Sequence, residues 1–217
     1  MTDRTLTEAG KILMACSVFG IGVAHFILPG LRPLLAPISP DEVWSGVGPI
    51  VGVTLIIASF LLIVKKTRLV TSLFLAAVFL FSFVFGHLPN RIQYNPEVLA
   101  YWTDTLKLLS MIGGMMMIAQ SSKAWSEPLV KWLSKGKYLF AVMLVIFGID
   151  HFLYVDFVST LVPSFIPAPR VWTYATGVAL FAAGVSIFTN VLFKLATRAL
   201  ALMLTSWLLM IHIPYRE

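Results

Sequence analysis

Apolar residues fall into seven runs, separated by short polar or proline-containing stretches. The runs are Ile12 to Pro29, Val47 to Val64, Leu69 to Leu88, Leu106 to Gln120, Tyr138 to Val155, Val171 to Phe188 and Ala196 to Ile213. A membrane-spanning helix needs about 20 mostly apolar residues, with a lower limit near 17. The pattern predicts an all-α, polytopic transmembrane helix bundle of seven spans. Pro29, Gly30 and Pro33 end the first run, and Pro89-Asn90 is expected to stop the third. The fourth run is the weakest, because it is short and has Asp104 and Lys107 at its start. Its Gly113-Gly114 predicts close helix packing.

Between the runs, Met1 to Gly10 reads as a polar surface segment. Leu31 to Trp44 reads as a proline loop, and Val158 to Arg170 as a second one. Ser121 to Lys137 mixes tryptophans and leucines with four lysines, and suits either a flat interfacial helix or a plain linker.

Composition agrees with this pattern. Of the 217 residues, 59% are hydrophobic and 12% charged, whereas soluble domains carry about 25% charged residues. The net charge of +6 does not point to nucleic acid, because its basic residues sit in short loops, where topology accounts for them. With the N-terminus inside, eleven lysines and arginines face the cytoplasm and five face the other side. The expected location is a bacterial cytoplasmic (inner) membrane, with the N-terminus cytoplasmic. Lone Cys16 excludes an intrachain disulfide and a thiolate-rich metal site. Most of the first apolar run follows that cysteine, and no small-residue cleavage pattern closes the run, so no removable signal peptide is expected.

Shifting the chain by 126 residues matches Lys11 with Lys137, Ala15 with Ala141, Gly22 with Gly148 and His25-Phe26 with His151-Phe152. After a small gap the shift becomes 125, and Gly52-Val53 matches Gly177-Val178, Leu75-Ala76 matches Leu200-Ala201, and His87 matches His212. This predicts a duplicated four-span unit, with residues 1–126 as the first copy and 127–217 as the second. An even number of spans makes the repeats parallel. The second copy holds three spans, so either seven spans are complete or the sequence stops before an eighth.

The candidate chemistry follows from the repeat. His25, His87, His151 and His212 are the only histidines. From Lys11 to His25 is about 21 Å of helix at about 1.5 Å per residue, which puts the first histidine toward the outer leaflet. Ionisable groups at such depth are expected to face the bundle interior and are site candidates by default. The functional expectation is two polar pockets, one per repeat, that take a quinone or a partner's electron carrier. Asp150 beside His151 adds a possible proton partner in the second. The competing expectation is structural: each histidine satisfies carbonyls at a proline-terminated helix end. No Cys-x-x-Cys-His string supports haem, and no metal site is expected. Trp44, Trp102 and Trp172 read as interface anchors.

Gly148-x-x-His151-Phe152, Leu161-Val162-Pro163, Trp172-Thr173-Tyr174-x-Thr176-Gly177-Val178 and His212-x-Pro214 together resemble DoxX-like membrane proteins. Leu108 to Ala119 is similar to that family's last helix. The first copy has Ser45-Gly46-Val47-Gly48 where the second has the Trp-Thr-Tyr string. The resemblance implies tandem DoxX-like repeats and association with terminal-oxidase or quinone-linked redox partner proteins. A structural or assembly protein without catalysis is the alternative. A small-solute permease ranks below both, since few inner-leaflet polar groups are available to build its path.

Overall fold

The computed structural model describes residues 3–27, 32–37, 46–121 and 125–212, with the backbone alone at 3, 4, 211 and 212. Trp44, Ser45 and Pro214, and most of the Leu31 to Trp44 loop, lie outside the described residues. The described chain is helical, with no strand among its elements. The main helices are α1 (Asp3–Ile27), α2 (Val47–Ile63), α3 (Arg68–Gln93), α4 (Thr103–Gln120), α5 (Glu127–Leu133), α6 (Gly136–Leu153), α7 (Pro169–Thr189) and α8 (Phe193–Trp207). Among the described residues, five stretches are long and apolar enough to cross a bilayer: Thr5–Ile27, Arg68–Gln93, Glu127–Leu153, Pro169–Thr189 and Phe193–Met210. α2 is apolar but has 17 residues.

Several boundaries differ from the expected ones. The polar start is not a separate surface segment, because α1 begins at Asp3 and runs unbroken into the apolar part. Its Glu8 and Lys11 pair at 2.8 Å, one turn apart, which supports a helix there without apolar packing. Pro89 does not stop the third helix. A π-helical turn over Ser82–His87 precedes it, and the proline falls in the first turn of the next segment, Leu88–Gln93. A missing N–H costs little at a helix start. A second π-helical turn, Leu208–His212, ends α8. The proposed interfacial stretch forms only a short helix, α5. The second proline loop contains helical turns at Val155–Val158 and Ser159–Leu161.

The chain divides into two compact units, 1–97 with 104–137 and 98–103 with 138–217. In the first, α1 and α2 cross with their backbones nearly touching. A Cβ on Gly22 would lie 3.0 Å from the Gly52 carbonyl oxygen, and one on Gly52 would lie 2.9 Å from that of Gly22. Ala15, Val18, Leu55, Ala58, Leu62 and Leu75 form the buried apolar seam. α4 approaches by its glycines too: the Gly113 carbonyl lies against Gly136, and the end of the Met14 side chain fills the space over Gly114. Ten of its residues are buried. This explains its weak apolar signal, since a helix surrounded by protein need not be apolar all round. Arg68 closes the opposite end. Its Nε and Nη2 donate to the carbonyls of Leu62 and Ile63, each at 2.9 Å, and its Nη1 reaches Glu8 at 3.3 Å.

In the second unit α6 and α7 cross at Gly148 and Gly177. Their added Cβ atoms would lie 2.9 and 3.1 Å from each other's carbonyl oxygens. Ala141, Leu144, Leu180, Ala183, Ile187 and Leu200 are buried, at offsets of 126 or 125 from the six seam residues of the first unit. A tight turn joins α7 to α8 through Asn190 and Leu192, both left-handed at φ 58° and 53°. Asn adopts this conformation readily, whereas Leu does so at a cost of about 1–2 kcal/mol. The Ser186 hydroxyl donates to the Val191 carbonyl and braces the turn.

These crossings leave no room for a side chain. Gly177→Ala puts a methyl 2.8 Å from the His151 Cβ, and such overpacking costs about 1–3 kcal/mol. The melting temperature of the purified protein in detergent is expected to fall accordingly. Gly20→Ala, where the methyl meets nothing within 4 Å, is expected to leave it unchanged or raise it.

Candidate functional site

The four expected site histidines do not behave alike. His25 ends α1, buried. Its Nδ1 lies 2.7 Å from the Ile21 carbonyl, one turn earlier. A carbonyl only accepts, so Nδ1 carries the proton and Nε2 is left as an acceptor. The Arg32 backbone N–H fills that role at 3.4 Å. His87, in the π-helical turn, is set the other way round. Its Nε2 donates to the Leu34 carbonyl at 2.9 Å, and its Nδ1 accepts from the Thr105 hydroxyl at 3.2 Å.

Both rings therefore grip the turn that follows α1. That turn closes on itself through Leu35 and Ala36 N–H bonds to the Arg32 carbonyl. Ser82, also in the π-helical turn, donates its hydroxyl to the Leu35 carbonyl. The expected shared pocket is thus, in the first unit, a shared clasp. Both ring nitrogens of each histidine are engaged, and neither is left for a ligand.

The second unit begins the same way and then diverges. The His151 Nδ1 donates to the Phe147 carbonyl at 2.7 Å, as His25 does to Ile21. Its Nε2 has no hydrogen-bond partner among the described residues. The ring instead stacks against Trp207 of α8, with centroids 6.4 Å apart and planes inclined by 23°. This lies within the range for favourable ring pairs. The side chain of His212 lies outside the described residues, so the expected pairing of His151 with His212 stays a proposal.

Asp150 is buried, and its Oδ1 has no partner among the described residues. Only one other buried side-chain atom there shares that condition, the Trp125 Nε1. An unpartnered buried polar group carries a desolvation cost of about 1–3 kcal/mol. Asp150 and His151 are consecutive on one helix and project about 100° apart. They are two separate polar points on α6, not one bonded pair. Across the crossing, α7 places Thr173 and Thr176 in buried positions. The Thr173 hydroxyl returns to the Pro169 carbonyl at 3.0 Å. Among the described residues, no group of three or more His, Cys, Asp or Glu side chains is placed to hold a metal ion.

Sequence reasoning missed several residues here. Thr105, Ser82 and the backbone of Arg32 to Leu35 complete the first clasp, and no local pattern marks them. Trp207 was not separable from other apolar positions of its run. Thr173 and Thr176 did stand out, within the Trp-Thr-Tyr-x-Thr-Gly string, but as a family motif and not as buried hydroxyls.

The helices and their apolar surfaces define the class as an integral membrane protein. A family model described as a domain of unknown function, DUF8561, matches residues 140–213. That stretch holds Asp150, His151, Thr173, Thr176 and Trp207, and none of the first clasp. No curated protein and no solved structure matches the chain.

The two kinds of polar group carry opposite expectations for stability. His87→Ala strips partners from the Leu34 carbonyl and the buried Thr105 hydroxyl, and is expected to cost about 1–3 kcal/mol. Asp150→Leu removes an unpartnered buried carboxyl and is expected to raise stability by about 1 kcal/mol or more. Thermal unfolding of both variants in detergent reads the two signs. A neutral His87→Ala or a destabilised Asp150→Leu would overturn these assignments.

Proposed function

We propose that the chain is a DoxX-like, seven-span protein of the bacterial cytoplasmic membrane, with its N-terminus cytoplasmic. In this reading it consists of tandem repeats, of which the first is a brace and the second binds a lipophilic ligand of the quinone class. The observation that carries it is the buried Asp150 carboxyl oxygen with no partner among the described residues. A group of this kind is costly to stability, and functional sites are where such costs are commonly retained. The Nε2 of His151, an acceptor by virtue of its Nδ1 bond and without a partner among the described residues, suits a ligand hydroxyl such as that of a quinol. Trp207 supplies an aromatic face beside it.

The repeat reading is supported by two glycine crossings with the same neighbours. Gly52 meets Phe26 and the His25 Cβ, and Gly177 meets Phe152 and the His151 Cβ. The two π-helical turns, each closing on a histidine, add to this. Quinone-linked redox partners remain part of the proposal through the family resemblance.

A second reading has its own support. The His25 and His87 clasp favours a structural or assembly protein, at least for the first unit.

Quinone binding separates the two. The purified protein is titrated with a short-chain ubiquinol, kept reduced, while tryptophan fluorescence is followed. Asp150→Asn and His151→Ala are each expected to weaken binding about tenfold or more, the equivalent of about 1.4 kcal/mol. Binding that is absent from the wild-type protein, or unchanged in both folded variants, would reject the quinone reading and leave the assembly one.

A further inference from the structure

A groove of about 490 Å³ runs along α1 in the first unit, away from the Asp150 site. Ser17, Gly20 and Ala24 line its floor, spaced at helical intervals on one stripe of α1. Their small side chains leave an open slot, and a Cβ added to Gly20 would meet nothing within 4 Å. Leu34 adds an apolar wall. At the end of the helix that carries His25, the slot meets two opposite charges, Arg32 from the turn and Asp104 from the start of α4.

Among the described residues, neither charge is taken up by a strong pair. Arg32 has no ion pair among the described residues. Asp104 pairs with Lys107 at 3.2 Å, an exposed contact one turn away in which both side chains keep 41% or more of their surface open. Such contacts hold weakly. Arg32 is also placed in advance, since its backbone N–H is held by His25.

We infer that this groove binds a zwitterionic phospholipid whose headgroup ends in a primary ammonium. Guanidinium matches phosphate through paired N–H donors. The carboxylate of Asp104 accepts the ammonium N–H groups, and the slot over Gly20 receives the upper part of one acyl chain. An anionic headgroup lacks the cation that Asp104 selects and meets its charge instead. A quaternary choline headgroup has the charge but no N–H to donate. The proposal does not rest on the quinone reading.

Thermal unfolding of the full chain in detergent, with added phosphatidylethanolamine, phosphatidylcholine or phosphatidylglycerol of identical acyl chains, tests it. Phosphatidylethanolamine is expected to raise the melting temperature of the wild-type protein by about 3–5 °C more than either of the others. Arg32→Gln, Asp104→Asn and Gly20→Leu are each expected to lose that difference. An equal response to the three lipids, or a wild-type response in all three variants, would overturn the inference. A photoreactive phosphatidylethanolamine applied to the unaltered protein covers the case of variants that do not fold. Labelling within Ser17 to Ala24 supports the groove, and labelling confined to other segments rejects it.

Discussion

Backbone-to-backbone contact between helices is the constraint on which the rest depends. At Gly22–Gly52 and Gly148–Gly177 the helices approach until a methyl group would strike a carbonyl oxygen. In lipid there is no hydrophobic gain from bringing two apolar helices together, so association relies on packing at short range. Glycine provides that range. Each crossing also fixes where a histidine sits, because the Cβ of His25 or His151 lies against the partner glycine. The imidazoles are therefore positioned by the packing, and their surroundings decide what they do.

Those surroundings differ between the units. Around His25 and His87, backbone groups of α1 and of the following turn, with the Thr105 hydroxyl, take up both nitrogens of each ring, while Ser82 bonds the turn itself. Around His151, a tryptophan stands at the position offset by 125 from Ser82, and the outer ring nitrogen has no hydrogen-bond partner among the described residues. The neighbouring Asp150 replaces Ala24 of the first unit. One substitution adds a group that needs a partner, and the other removes a hydroxyl while adding an aromatic face. Both changes leave the second unit with polar capacity that its own described residues do not satisfy.

Much of this was legible in the chain itself. The apolar runs mark the helices, and Gly113-Gly114 marks one close approach; the repeat singles out Gly22, Gly52, Gly148 and Gly177 without showing that helices cross there. Helix ends were less legible. Asp3 to Gly10 looks like a surface tail because it is mostly polar, yet local ion pairing lets it continue the helix. Pro89 looks like a terminator, and the wide turn ahead of it lets the helix continue. The clasp was not legible, because the Arg32 N–H and the Leu34 carbonyl are backbone groups and carry no sequence signature. Arg68 was read only as one more positive charge in a loop. Its burial against three helices depends on how tightly the turn after α2 closes.

That arginine has a mechanical consequence. Its guanidinium holds the last carbonyls of α2 and the Glu8 side chain of α1, while its own backbone begins α3. The three helix ends are thereby fixed at a common level. A slide of α2 against α3 by a single turn, about 5.4 Å, would break two backbone hydrogen bonds to a buried guanidinium, whereas α1 is tethered there by the half-exposed Glu8 pair alone. At this end of the unit the α2–α3 joint is the firmer one.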